Sequence, residues 1–289
     1  MTSLAFIGLG TMGYPMAGHL ARKGFAVTVF NRTPGKADTW CAEFGGTKAA
    51  SPAEAAKHVD VVLTCVGNDA DLREVVLGPN GIRDGLRQGA LLVDHSTVSA
   101  EVSRDLASHL AAAGSRFVDA PVSGGQQGAR NGQLTIMCGG TDRDIEQASA
   151  IISSYARAIT HMGPVGNGQL TKMVNQICVA GLVQALSEGM HFAEQAGLDL
   201  QKVIDAISQG AASSWQMVNR HKTMIAAEYE HGFAVDWMRK DLAICEAEAR
   251  HLGVSLPVTA LVDQFYAEVQ AMGGGRWDTS SLLARLQRK

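Results

Sequence analysis

Leu4-Ala5-Phe6-Ile7-Gly8-Leu9-Gly10-Thr11-Met12-Gly13 is the stretch that decides the reading of the first half of the chain. An apolar run short enough for one buried strand ends in Gly8-x-Gly10-x-x-Gly13. An amphipathic segment with Met16, His19, Leu20 and Gly24 follows at once. Each glycine has its own task in that setting. Gly8 permits the tight strand-to-helix turn, Gly10 lets a pyrophosphate approach the backbone, and Gly13 lets the helix pack close to the strand. Leu9, Thr11 and Met12 complete the loop, whose N–H groups at the helix start hold phosphates. With 32 glycines in 289 residues the triplet alone is weak. A second strand over Ala26–Phe30 completes a βαβ unit, and that context makes dinucleotide binding the expectation over a plain tight turn.

The residues after the second strand select among dinucleotides. NAD sites usually place Asp or Glu about twenty residues past the glycines, where it accepts hydrogen bonds from the ribose hydroxyls. This chain reads Val29-Phe30-Asn31-Arg32-Thr33-Pro34-Gly35-Lys36, with no acid in the window. Arg32 can lie against a 2′-phosphate, Thr33 can donate its hydroxyl, and Lys36 adds positive charge at the next helix start. An ordinary polar loop capped by Asn31 or Thr33 would use the same residues. The missing acid, more than the added bases, turns the expectation to NADP, with NAD as the second choice.

Composition excludes several classes. The length of 289 residues suffices for two domains with real cores. A formal net charge of −3 without a Lys/Arg cluster argues against nucleic acid or an anionic membrane as partner. No apolar run approaches the roughly twenty residues needed to span a bilayer. The first strand begins almost at the first residue, so no signal peptide is expected. Cys41, Cys65, Cys138, Cys178 and Cys245 lack CxxC or metal-type spacing and read as small hydrophobes in a reducing cytoplasm. The histidines are equally dispersed, so no metal is expected.

The organisation changes near residue 162. Strands are expected at 4–7, Ala26–Phe30, 60–65, Leu91–Asp94, 116–120, Leu134–Cys138 and 158–161, with helical stretches such as 52–57 and 100–113 between them. That alternation predicts a doubly wound, mostly parallel sheet over 1–162. Residues 124–132 look like a turn-rich link to an edge strand. From Gly166 on the β signal almost vanishes. Leu170, Val174, Ile177, Gly181, Ala185, Met190 and Ala193 recur at helical spacing through 169–196. Further helical runs at 200–209, 221–227, 238–252 and 258–271 make 163–289 an all-α domain for substrate binding and oligomerisation. Ligands of open α/β sheets bind beyond the strand carboxyl ends, and the helical half is expected to roof that crevice.

Two further motifs carry chemistry. In Asp119-Ala120-Pro121-Val122-Ser123-Gly124-Gly125 a strand runs into a loop where Ser123 offers a hydroxyl and Gly124 and Gly125 offer N–H groups unshielded by side chains. Those groups suit a carboxylate, although a Pro-then-Gly-Gly turn would read the same way. In Gly166-Asn167-Gly168-Gln169-Leu170-Thr171-Lys172-Met173-Val174-Asn175-Gln176, Lys172 and Asn175 project from nearly one helix face and Lys172 and Gln176 are neighbours. A lysine that loses solvation in a crevice can exchange a proton near neutral pH. Taken singly, an exposed lysine on a polar helix face would explain it as well.

Together, GLGTMG near the start, HST at 95–97, DAPVSGG at 119–125, GNGQLTKMVNQ at 166–176 and Arg239-Lys240-Asp241-Leu242 resemble the β-hydroxyacid dehydrogenases along essentially the whole chain. That family includes 3-hydroxyisobutyrate dehydrogenase, tartronate semialdehyde reductase and glyoxylate/succinic semialdehyde reductase. The resemblance implies a Rossmann domain followed by a helical domain, a homodimer or homotetramer, and a small carboxylate substrate. It also implies Lys172 as the catalytic acid/base and Ser123, Gly124 and Gly125 as the carboxylate site. Asn175 and Gln176 would bond substrate oxygens, and Asn68, Thr97 and Lys240 would touch the cofactor. The lysine-asparagine-glutamine order is most like the tartronate semialdehyde branch. Asn31-Arg32-Thr33 is more similar to the NADP-preferring glyoxylate/succinic semialdehyde branch. Asp236 and Trp237 match neither, and the wall of the substrate pocket is their expected place. An imine reductase of related fold or a non-catalytic cofactor-binding protein are the alternatives.

Overall fold

The computed structural model describes residues 3–288. The chain divides into two compact units at the Lys172–Met173 bond, inside a long helix.

The first unit runs β1 (Ser3–Ile7), α1 (Gly13–Arg22), β2 (Ala26–Phe30), α2 (Pro34–Phe44), β3 (Thr47–Lys48), α3 (Pro52–Ala56), β4 (Val61–Thr64), α4 (Asp69–Leu77), α5 (Ile82–Gly85), β5 (Leu91–Asp94), α6 (Ala100–Ala112) and β6 (Arg116–Asp119). These strands form one sheet in the order β3-β2-β1-β4-β5-β6, every neighbour pair parallel. Alternation along the strands fills two cores. Leu4, Phe6, Leu63, Val93 and Val118 pack on one side, and Ala5, Ile7, Val62, Leu92 and Phe117 on the other. Burial on both faces is what a parallel sheet covered by crossover helices requires. Strand order reverses at β1, so its carboxyl end, where the glycines stand, is the switch point at which such sheets bind ligands.

The doubly wound sheet is as expected, but the region after β6 is not. The chain continues through β7 (Val122–Ser123), α7 (Gly125–Asn131), β8 (Leu134–Cys138), α8 (Asp142–Ile152) and β9 (Ala156–His161). The three strands form a separate sheet in the order β7-β8-β9, with β8 antiparallel to β7 and parallel to β9. The expected edge strand is therefore the middle one. The expected turn-rich link is a short helix, held by a contact far away in sequence. His19 Nε2 lies 3.0 Å from the Ala129 carbonyl and 3.1 Å from that of Arg130, at the helix end.

The second unit contains most of α9 (Asn167–Gln195), then α10 (Leu200–Ile207), α11 (Trp215–Ile225), α12 (Val235–Leu252), α13 (Pro257–Ala271) and, after two short 3₁₀ turns, α14 (Leu282–Leu286). Ala180, Val183, Met238, Leu242, Val262 and Tyr266 form one core cluster, and Leu186, Met190, Ile204, Met217 and Met224 another. α11 starts six residues before the expected 221. Ser214 caps it by accepting the Met217 N–H, while exposed Trp215 and Val218 break the apolar spacing. Asp278 fastens the closing loop. Fully buried, it accepts the Phe233 N–H at 2.9 Å and the Ser280 hydroxyl at 2.7 Å, with Arg220 Nε at 3.3 Å.

Candidate active site

The three glycines have three different local causes. Gly8 holds φ +97°, and a Cβ there would run into the Cys65 carbonyl. A Cβ on Gly13 would strike the Gly8 carbonyl and the Phe6 ring. A Cβ on Gly10 would meet nothing within 4 Å, so the protein's own packing does not demand glycine there. The space it leaves is what a pyrophosphate would fill. No side chain caps α1 at Met12, and its first turn holds no acid. Within that turn the Tyr14 and Met16 N–H groups go to the Gly10 and Met12 carbonyls at 3.0 and 3.3 Å, and Pro15 has none. The N–H groups left to face phosphate oxygens are that of Gly13 and those of Thr11 and Met12 just before it. These features fit a dinucleotide.

Leu9, Gly10, Thr11, Thr33 and Lys36 line one cleft together with Tyr14, Arg22, Gln126 and Arg130. Asn31 ties two of these residues together: its Oδ1 accepts the Leu9 N–H at 2.8 Å and its Nδ2 donates to the Thr33 carbonyl at 3.0 Å. Arg32 is not part of that lining. Its exposed guanidinium donates to Asp71 Oδ1 at 3.0 Å. Asn68 caps α4 by accepting the Asp71 N–H at 2.8 Å. Thr97 is half-buried in the loop between β5 and α6.

Ser123 ends β7, and the following glycines adopt φ +126° and +62°. A side chain on Gly125 would also meet nothing within 4 Å. Lys172, only 7% exposed, sits in the second turn of α9. One carboxylate organises both segments. Asp119, fully buried four residues before Ser123, accepts the Gly166 N–H at 2.8 Å and the Gln169 N–H at 2.9 Å, and so seats the turn that leads to Lys172. Burial pushes its carboxyl up to about 6, against the pull of those N–H groups.

A second buried acid stands beside it, since β5 and β6 pair Asp94 with Asp119. Asp94 Oδ1 accepts the Thr64 hydroxyl at 2.6 Å and the Ser96 hydroxyl at 2.7 Å. Burial raises its carboxyl to about 7. His95 is lowered by burial to about 4 and is a neutral imidazole. Its Nδ1 donates to the Ala120 carbonyl at 2.7 Å, so its Nε2 accepts the Tyr155 hydroxyl at 2.8 Å. Sequence reasoning did not single out Asp94, Asp119, His95 or Gln169. The available signal was an acid at the carboxyl end of each of two strands, Leu91–Asp94 and Arg116–Asp119.

In the second unit Asp241 orders a chain of polar groups. Lys240 Nζ lies 2.9 Å from Asp241 Oδ1, and Gln176 Nε2 donates to Asp241 Oδ2 at 2.6 Å. A carboxylate only accepts, so Gln176 must turn its amide nitrogen to it and its Oε1 to Asn175 Nδ2, at 2.8 Å. Asp236 belongs to a second polar chain. It accepts from Gln270, which accepts in turn from Arg239, and Arg239 forks onto Asp263 at 2.9 and 3.0 Å.

Comparison with known proteins agrees with this geometry. Residues 3–163 match the NAD binding domain of 6-phosphogluconate dehydrogenase, and residues 166–286 match the NAD-binding family of NADP-dependent 3-hydroxyisobutyrate dehydrogenase. The chain is 60% identical to an oxidoreductase of Shewanella frigidimarina, over 100% of this chain and 99% of that one. It is 34% identical to the 2-hydroxy-3-oxopropionate reductase of Escherichia coli, over 98% and 97% of the two chains. A solved structure of Mycobacterium tuberculosis 3-hydroxyisobutyrate dehydrogenase with L-serine superposes at a TM-score of 0.89, with 28% identity and full coverage of both chains. The chain belongs to the β-hydroxyacid dehydrogenase family and is an oxidoreductase with an NAD(P)-binding Rossmann domain. Among the described residues no helix is long and apolar enough to cross a membrane.

Proposed function

We propose that the chain reduces small carboxylate-bearing aldehydes to hydroxyacids, or runs the reverse, with NADPH preferred over NADH and Lys172 as the general acid/base. Tartronate semialdehyde, glyoxylate, succinic semialdehyde and the oxidation of 3-hydroxyisobutyrate are the reactions in view. The observation that carries this reading is the double role of Asp119, whose strand leads into Ser123–Gly125 and whose carboxylate seats the turn before Lys172.

The chemistry follows from the groups. A nicotinamide cofactor held at the Gly8–Gly13 loop would provide the hydride-transfer chemistry when bound. The Lys172 ammonium gives its proton to the carbonyl oxygen as negative charge develops there; in the oxidative direction the neutral amine removes the hydroxyl proton. Such help is worth roughly 10²–10⁴-fold in rate. The Ser123 hydroxyl and the Gly124 and Gly125 N–H groups hold the carboxylate. Asn175, one turn beyond Lys172, bonds a substrate oxygen, and Gln176 contributes by holding Asn175. Thr97 and Asn68 serve the cofactor.

The cofactor preference rests on the loop after β2. Arg32 leans on Asp71, but an exposed ion pair is worth only about 0.2–1 kcal/mol, and a doubly charged 2′-phosphate outcompetes one carboxylate for a guanidinium. NADPH should therefore show the higher kcat/KM. Arg32→Asp should cost NADPH about tenfold or more while sparing NADH. Initial rates with both cofactors decide the matter. Equal efficiency in the parent protein would make 31–36 an ordinary polar turn.

Exposed Val174, Leu182 and Phe192 along α9 support a homo-oligomer, dimer or tetramer. The five cysteines form no disulfide among the described residues, which suits a reducing cytoplasm.

A further inference from the structure

Gln169 is fully buried and held at three points. Its backbone N–H goes to Asp119. Its side-chain Nε2 donates to the Ser96 carbonyl at 2.8 Å, and its Oε1 accepts the Val98 N–H at 3.3 Å. One carboxamide therefore grips the backbone on both sides of Thr97. The segment is pinned from behind as well. The Ser96 N–H and hydroxyl both go to Asp94 Oδ1, at 3.1 and 2.7 Å, and the Ser96 hydroxyl oxygen accepts the Val66 N–H at 2.9 Å. Ser96 and Val98 are each 1% exposed, while Thr97 between them is half-buried and the member of the three least enclosed by protein.

We infer that Gln169 is a positioning residue that locks the Ser96–Thr97–Val98 backbone to the helical turn preceding Lys172, so that the cofactor contact at Thr97 and the proton-transfer group at Lys172 are set in one register. The inference rests on the proposed roles of Thr97 and Lys172. Lys172 follows Gln169 by three residues on one rigid helix, so a shift of the grip shifts the lysine. The side chain admits few substitutes. Leucine fills the space but neither donates nor accepts. Glutamate keeps the size and the acceptor for Val98 but turns a second acceptor toward the Ser96 carbonyl. Asparagine is one methylene too short to span both bonds.

The test compares the parent protein with Gln169→Leu, Gln169→Glu and Thr97→Ala, each well below its melting temperature. NADPH affinity is read by fluorescence titration without substrate; kcat and the aldehyde KM are then measured at saturating NADPH. Both Gln169 variants should weaken NADPH binding and lower kcat by roughly tenfold, with the aldehyde KM moving less than about twofold, because misplacement of a reacting group acts on turnover. Thr97→Ala should weaken NADPH binding without the matching loss of kcat. A role confined to stability would lower the melting temperature alone. Parent-like affinity and kcat in Gln169→Glu and Gln169→Leu, beside a weakened Thr97→Ala, would overturn the inference while leaving the proposed function standing. Parent-like affinity in Thr97→Ala would remove Thr97 from the cofactor site and the coupling with it.

Discussion

Replacing Lys172 by alanine should lower kcat at least about a hundredfold, the lower bound for loss of a positioned proton donor, while NADPH affinity stays near the parent value. The residue is 7% exposed on a helix whose entry is fixed by Asp119. Its side chain is therefore largely enclosed by protein. Lys172→Arg separates charge from proton transfer. A guanidinium keeps the positive charge but does not give up its proton in this pH range, so turnover should stay low. Near-normal turnover in either variant would take Lys172 out of the mechanism.

The second large effect concerns the substrate carboxylate. Ser123, Gly124 and Gly125 offer a hydroxyl and two N–H groups, and a reacting carbonyl a few ångströms away must face Lys172. That limits the substrate to roughly two to five carbons, by the reach of an extended chain. Methyl esters of the same aldehydes should lose about 2–4 kcal/mol in kcat/KM, roughly 30- to 1,000-fold, because the donors are left without their charged partner. Acid and ester are compared pairwise at saturating NADPH. Esters, uncharged ketones or imines turned over as well as the acids would favour the imine-reductase alternative.

The sequence was most legible where local chemistry and tertiary demand coincide. Gly8, Gly10 and Gly13 were assigned three separate tasks from spacing alone, and the structure gives them a carbonyl clash with positive φ, an open cradle, and a strand–helix approach. The helical second half followed from apolar spacing, which the core clusters about Ala180 and Leu186 bear out. Residues 125–131 were illegible because Gly-Gln-Gln-Gly-Ala-Arg-Asn has poor helix propensity, and the contact that stabilises the helix comes from His19, 110 residues earlier in the chain. The middle position of β8 depended on β7, a two-residue strand with no periodicity to read. At the site, the sequence pointed to Ser123 at the end of β7 and Lys172 in the second turn of α9. The buried acids and Gln169 that hold those groups were legible only once the strand register placed Asp94 beside Asp119.

The most direct test of the central claim follows one hydrogen. The parent protein is incubated with a small semialdehyde acid and NADPH carrying deuterium at the transferable C4 position, and the hydroxyacid product is examined by mass spectrometry and NMR. The account predicts cofactor oxidation matched one-for-one by product, with a single deuterium on the new carbinol carbon. Absence of cofactor oxidation with every small carboxylate aldehyde tried, or a hydroxyacid without deuterium at that carbon, would contradict it.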